Sequence, residues 1–150
     1  MIRAAIAVFG VLLAASVQAA PLDRATAGGR VVTIRSDPGG VIAQYAMKVR
    51  KIEREDAFIR FDGRCDSACT LYLRLAATRA CVSTRSSFGF HLPHGVPGRQ
   101  AALARDYMLK SYPDWVRRWI SDNGGLTSRL KTMPYAYARQ FVPDCDEITM

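Results

Sequence analysis

Ser67 is the residue whose setting first points to chemistry. It lies in Gly63-Arg64-Cys65-Asp66-Ser67-Ala68-Cys69-Thr70-Leu71, between an apolar run, Ala57-Phe58-Ile59-Arg60-Phe61, and an apolar stretch from Ala68 to Ala77. The run over residues 57–61 reads as a short strand, and the stretch, apolar nearly all round, as a buried helix. Ser67 therefore falls where a strand hands over to a helix. There the first helical N–H groups lack intrahelical partners, and the helix dipole favours negative charge. A serine at such a place is ordinarily an N-cap, and local sequence alone favours that role. The same place also suits a nucleophile, because attack on a carbonyl creates an oxyanion beside free N–H donors.

Two other stretches bear on the choice. Upstream, Ser36-Asp37-Pro38-Gly39-Gly40-Val41-Ile42 again runs from a strand into a helix through a glycine turn. Downstream, Ser87-Phe88-Gly89-Phe90-His91-Leu92-Pro93-His94-Gly95 carries a histidine at the end of a short apolar strand. Acyl transfer needs a nucleophile, a base within hydrogen-bond reach and donors for the oxyanion. Ser67 supplies the first. A neutral His91 imidazole supplies the second near neutral pH. The backbone N–H groups of Gly40 and Ala68 supply the third, and a glycine lets the backbone approach a substrate closely. His91 by itself would be a structural histidine by default. His94, in a proline-glycine loop, reads as solvent-exposed.

In this order, and with Gly40 and Ser67 27 residues apart and Ser67 and His91 24 apart, the chain resembles the proteolytic subunit of the Clp protease and its periplasmic relatives in the ClpP/crotonase superfamily. Pro38-Gly39-Gly40-Val41-Ile42 and the helix after it carry the likeness most strongly, and it extends roughly over residues 31–133. The resemblance implies an α/β fold, a small mostly parallel sheet with crossover helices. It also implies peptide cleavage, with Ser67 and His91 as catalytic pair and Gly40 and Ala68 as oxyanion hole. Two departures stand out. The family's aspartate belongs in a helix after the histidine, and Leu126-Thr127-Ser128-Arg129-Leu130-Lys131-Thr132-Met133 holds no acid. Asp144 or Asp146 is then the candidate third member of a triad. The family also has a further strand and helix before the Gly-Gly strand, which is expected to leave strand one here as an exposed edge: either a partner chain covers it, or the domain is a reduced descendant of the family.

The chain has 150 residues, and its first part reads as a targeting segment. Arg3 gives the positive start, Ala4 to Ala15 is an apolar run too short to span a bilayer, and Val17-Gln18-Ala19 resembles a cleavage site. The expected organisation is a leader at 1–19, a small polar segment at 20–29 and one domain over 30–150, with no transmembrane segment in the mature chain. The four cysteines, Cys65, Cys69, Cys81 and Cys145, are an even number in an exported chain and imply two disulfides. Three pairings are open to them. The expected pairing is Cys65–Cys69 across the serine loop and Cys81–Cys145 at the C-terminal tail. Zinc is disfavoured, because the C-x3-C pair lacks a second pair of ligands. No metal or cofactor is expected. The formal net charge of +8, or +7 without Arg3, is spread along the chain, with no block of five or six like charges and no nucleic-acid-binding pattern. A solvated basic surface is favoured over attraction to anionic polymers or lipid head groups.

Along the chain, residues 30–35 read as strand one, and 40–55 as an amphipathic helix with Val41, Ile42, Tyr45, Val49 and Ile52 on its stripe. Short strands follow around 80–82 and 87–90. A helix over 99–112 has Leu103, Tyr107 and Leu109 among its apolar positions. Another over 114–121 sets Trp115 and Trp119 four apart, against the core. A last short helix, capped by Thr127, stops before Pro134. Strand-helix alternation predicts a parallel sheet with right-handed crossovers. The expected protein is thus a periplasmic or secreted serine hydrolase acting on peptides or proteins, with homo-oligomer formation a further expectation. The alternative is a catalytically inactive ClpP-like protein that binds peptides or a partner.

Overall fold

A computed structural model describes residues 29–148. The expected leader, the segment at 20–29 apart from Gly29, and the last two residues lie outside the described residues. In chain order the elements are β1 (Val31–Asp37), α1 (Ile42–Arg54), β2 (Phe58–Asp66), a 3₁₀ helix (Ser67–Leu75) running into α2 (Ala76–Arg79), β3 (Ala80–Val82), β4 (Ser87–Phe90), α3 (Gly98–Ser111), α4 (Asp114–Asp122), β5 (Lys131–Pro134) and α5 (Tyr135–Ala138).

The architecture is mixed α/β, as expected. One five-stranded sheet has the order β1-β2-β4-β5, with β3 also pairing with β2. β1, β3 and β4 all run parallel to β2. β3 takes the first half of one β2 edge, pairing Ile59–Phe61 with Ala80–Val82, and β4 takes the second half, pairing Arg64–Asp66 with Ser87–Gly89. β1 forms one edge of the sheet among the described residues. Burial accounts for these elements. Tyr45, Ala46, Val49 and Ile52 give α1 a helical stripe turned to the core. The 3₁₀ helix is buried nearly all round and packs against α1, while Trp115, Val116, Trp119 and Ile120 turn α4 inward. Phe61, Phe88 and Met133 are fully buried along the sheet.

Three local expectations are corrected. β2 does not end at Phe61 but continues to Asp66, because Gly63 allows close approach to β1 where the register slips between Ile34 and Ser36. A Cβ on Gly63 would sit 1.7 Å from the Arg35 carbonyl oxygen. The helix after Ser67 is 3₁₀ rather than α, and its first turn carries an i to i+3 bond from the Thr70 hydroxyl to the Ser67 carbonyl, 2.6 Å. Thr127 caps no helix. Residues 131–134 pair antiparallel with β4, placing Met133 opposite Phe88, and Pro134 is tolerated because β5 is an edge strand. On α3 the buried side chain is Met108, whereas Leu103 and Tyr107 are exposed.

Both disulfides form, Cys65–Cys69 with Cα atoms 5.3 Å apart and Cys81–Cys145 with Cα atoms 4.8 Å apart. They point to an oxidising, extracytoplasmic environment. Among the described residues no helix is long and apolar enough to cross a membrane.

Candidate functional site

Three loops leave the same end of the sheet, because β1, β2 and β4 run in one direction. Asp37 pairs with Cys65, and Asp66 pairs with Gly89. Just beyond those pairs, the chain reaches Pro38 on one side of Ser67 and Phe90-His91 on the other. Neighbouring strands are only about 4.8 Å apart, so Gly39-Gly40, Ser67-Ala68 and His91 emerge side by side. Ligands of open α/β sheets commonly bind at the carboxyl ends of such strands.

Ser67 is not a cap. The N-cap position of the 3₁₀ helix is Asp66, which makes no side-chain capping bond, and Ser67 itself has φ +55°. That left-handed conformation is costly for a residue with a side chain and persists where the surroundings impose it. The Cys65–Cys69 disulfide brackets the turn. The Thr70 hydroxyl, bonded to the Ser67 carbonyl, also lies 2.6 Å from the buried Tyr112 hydroxyl. No hydrogen bond from the Ser67 hydroxyl is found among the described residues, and the residue is half-buried. Its hydroxyl is therefore held by the backbone and left open.

The glycine turn is pressed against this elbow. Gly39 has φ +83°, and a Cβ there would lie 2.5 Å from the Asp66 carbonyl oxygen, 2.7 Å from Ser67 Cβ and 2.9 Å from Ala68 N. Only a glycine fits, on both counts. Asp37 shapes the turn, since its Oδ1 accepts from Gly39 N–H at 2.9 Å and from the Tyr45 hydroxyl at 2.5 Å. Burial first, then Asp37, pushes the Tyr45 hydroxyl well above the usual phenol range, so it remains a donor. The Gly40 amide lies outside any helix or strand. The Ala68 amide lies in the first turn of the 3₁₀ helix, where N–H groups have no intrahelical partner.

His91 is half-buried, and its Nδ1 lies 2.6 Å from the Leu92 carbonyl oxygen. That contact fits an Nδ1–H tautomer and leaves Nε2 as the lone-pair nitrogen. The ring stacks on His94, centroids 5.2 Å apart and 25° between planes. No hydrogen bond joins Ser67 to His91 among the described residues. Leu92 N–H donates to the Thr127 carbonyl at 2.7 Å. Leu92 also lines a recess of about 490 Å³, together with Leu109, Ile120, Leu126, Arg105 and Arg117.

Asp144 and Asp146 are not brought to His91. Asp144 bridges to Val82, which pairs with Phe61. Phe61 lies six residues before Ser67 on β2, about 20 Å at the usual rise of a strand. The Asp146 N–H, with the larger effect, and the Tyr135 hydroxyl donate to Asp144, and these bonds hold its carboxyl below the usual range. A buried acid that sequence reasoning leaves aside is Asp66, next to Ser67. It is 5% exposed, Arg64 Nε lies 2.8 Å from its Oδ2, and its Oδ1 is buried with no hydrogen-bond partner. Burial pushes its carboxyl above the usual range, while Arg64, His91 and the nearby Gly89 amide pull the other way. Among the described residues no group of three or more His, Cys, Asp and Glu side chains is arranged to hold a metal ion.

A left-handed serine elbow thus lies at the carboxyl edge of a mostly parallel sheet in this α/β chain, flanked by a glycine turn and by the strand that leads to a histidine. Among solved structures the chain is similar to the crystal structure of a peptidase from Plasmodium falciparum, with a TM-score of 0.51, 12% sequence identity, and coverage of 83% of this chain and 79% of that one. At that identity the likeness is one of fold. No protein-family model matches the sequence, and no curated protein does.

Proposed function

We propose that the chain is an exported serine hydrolase, acting as a peptidase on short or unfolded peptides in the periplasm or outside the cell. The observation that carries this is the left-handed Ser67 at a strand-to-helix elbow, with Gly39 packed on it and His91 leaving the adjacent strand. The resemblance to the ClpP/crotonase superfamily and the likeness in fold to a peptidase support it. Export is supported by the expected leader and by the two disulfides.

In the proposed reaction, Ser67 Oγ attacks the peptide carbonyl carbon as its proton passes to His91 Nε2. The carbonyl oxygen becomes an oxyanion facing the Gly40 and Ala68 amides, each such donor being worth about 3–4 kcal/mol in the transition state. The intermediate collapses, the C–N bond breaks, and His91 returns the proton to the leaving nitrogen. Water then attacks the acyl ester with His91 again as base, and Ser67 recovers its proton. The recess behind Leu92 suits an apolar side chain of the peptide, with Arg105 and Arg117 among its walls.

Labelling with a fluorophosphonate tests this directly. The wild type is expected to be modified at Ser67, with Ser67→Ala abolishing the label and His91→Ala slowing it by about 10³-fold or more. Absence of labelling across roughly pH 6 to 9, the span in which histidine titrates, would instead favour a catalytically inactive protein that binds peptides at the same edge. The contact of His91 Nδ1 with the Leu92 carbonyl, rather than with an acid, is the observation on the side of that second reading.

A further inference from the structure

With Asp144 and Asp146 elsewhere, a Ser67–His91 pair lacks the acid that orients a catalytic histidine, and such a loss costs about 10⁴ in turnover in a well-studied triad. One carboxylate does lie on the strand pair that ends at the histidine. Asp66 pairs with Gly89 across the parallel β2–β4 ladder, and partners in a ladder turn their side chains to the same face. His91 leaves the chain two residues beyond Gly89, on the same alternation.

We propose that Asp66 is the third member of the site, a positioning residue whose free Oδ1 serves the His91 imidazole during reaction. This rests on the serine-hydrolase reading above. Three observations converge. Gly89 makes room for the carboxylate: a Cβ there would sit 2.2 Å from Asp66 Oδ1 and 2.7 Å from its Cγ. Oδ2 is occupied by Arg64, so the acid is anchored at one oxygen and spare at the other. A buried carboxylate oxygen without a partner is a rare and costly arrangement, and it is found here one residue from the candidate nucleophile.

Arg64 faces Asp66 from β2, Asp37 from the end of β1, and His91 from beyond β4, with His94 stacked behind His91. Leu130, just before β5, brings an apolar methyl group to the same space above Gly89. The counter-charges acting on Asp66 are thus Arg64, whose side chain is 57% exposed, and the histidine. When Ser67 passes its proton to His91 Nε2, the imidazolium gains a buried negative partner, and an Nδ1–H can exchange the Leu92 carbonyl for Oδ1. Asp66 takes no proton in this step; the only bonds formed and broken are those of the acyl transfer itself. The device differs from Asp144 or Asp146 in being local. The acid and the nucleophile are consecutive residues at the end of one strand, held by the Cys65–Cys69 loop.

The test compares fluorophosphonate labelling of wild type, Asp66→Asn and Asp66→Glu, with imidazole ¹⁵N spectra of His91 in each, all on the oxidised mature chain. Asp66→Asn keeps the shape and removes the charge. It is expected to slow labelling by about 10²- to 10⁴-fold, to change the pH dependence of labelling, and to shift the His91 ring signals; Asp66→Glu is expected to recover part of the rate. Gly89→Ala, which pushes the carboxylate aside without removing it, is expected to act in the same direction, and keeps the inference testable should Asp66→Asn fold poorly. Wild-type labelling that depends on Ser67 but is equally fast, with the same pH profile, in Asp66→Asn overturns the role of Asp66 alone. So does a slower Asp66→Asn whose His91 signals are unchanged, since that is a structural effect. Failure of the wild type to label at all overturns the hydrolase itself, and with it the triad.

Discussion

Asp62 and Asp66 stand on the same strand and are buried to nearly the same degree, 8% and 5% exposed, yet the fold treats them in opposite ways. Asp62 is fully provided for. Its Oδ1 accepts from Ser83 Oγ at 2.8 Å and from Arg85 Nε at 3.1 Å, and its Oδ2 accepts from Arg85 Nη2. The bonds from Arg85 and Ser83 hold its carboxyl below the usual range. Asp66 has Arg64 on one oxygen and no well-formed hydrogen bond on the other, where the Gly89 amide is only nearby, and burial drives its carboxyl upward. Asp62 closes the turn between β3 and β4, where Ser86 also bonds the Phe61 carbonyl at 2.8 Å. Asp66 adjoins the serine elbow. The same chain can satisfy a buried carboxylate when its work is to join two strands. It leaves one unsatisfied at the edge where the glycine turn, the left-handed serine and the histidine meet. Unmet polar groups and strained backbone cost stability wherever they occur, and they concentrate where a site has to be ready for a partner not yet bound.

The sharpest way to break this comparison is Asp62→Ala. It strands Ser83 and Arg85, and the expected result at neutral pH is a larger drop in melting temperature than Tyr112→Phe produces, where Asp66→Asn gives none, with labelling per folded molecule unchanged. If labelling of the folded fraction fell as far as it does in Asp66→Asn, the division of labour between the two acids would be wrong.

The next effect is in the pH dependence of stability, where the two acids should differ in sign. Asp62 has a lowered carboxyl, so its contribution is present above the unfolded value of about 3.9 and is lost as pH falls through the folded value. Asp66 has a raised carboxyl, so the fold is favoured below that unfolded value and loses stability as pH rises through the folded one. Asp66→Asn should therefore melt at or above the wild-type temperature at neutral pH, with the gap closing as the solution is acidified. Paired melts from pH 3 to 7 would check this, the range being set by ordinary carboxylate values near ~4. A neutral-pH loss of stability in Asp66→Asn would mean that Arg64 outweighs burial.

The smallest effect is expected from Tyr112→Phe. It removes one buried hydroxyl from the Thr70 contact and should cost about 1 kcal/mol. Labelling should change little, because Thr70 keeps its own bond to the Ser67 carbonyl. A large loss of labelling would instead place Tyr112 among the groups that set the serine conformation.

Much of the fold and of the site is legible in the sequence. The stripe of Tyr45, Val49 and Ile52 marks α1 because period 3.6 is a local property. The two apolar runs around Ser67 mark the elbow for the same reason. What the sequence misleads on is non-local. Lys131-Thr132-Met133-Pro134 has no strand signal of its own and becomes β5 only because Phe88 offers Met133 a buried partner. Asp62, Gly63 and Arg64 look like the end of a strand, yet β1 on one edge and β4 on the other carry it on to Asp66. Leu103 and Tyr107 are apolar positions of α3 whose facing the sequence leaves open, and the packing of α3 through Met108 shows that they face outward. Asp66 escapes notice because acids beside a serine are common, and nothing in the local sequence tells a solvated carboxylate from a buried one.

Local order settled which groups this protein has to work with: a glycine turn, a serine at a helix start, a histidine at a strand end, and an even set of cysteines. Those are properties of neighbours in the chain, where spacing and residue type suffice. Which carboxylate pairs with the strand that leads to the histidine, that Cys81 meets Cys145, and whether a buried charge is met or left bare were decided by strand register. Register depends on contacts between residues far apart in the chain, and burial sets the cost of each charge only once those contacts exist.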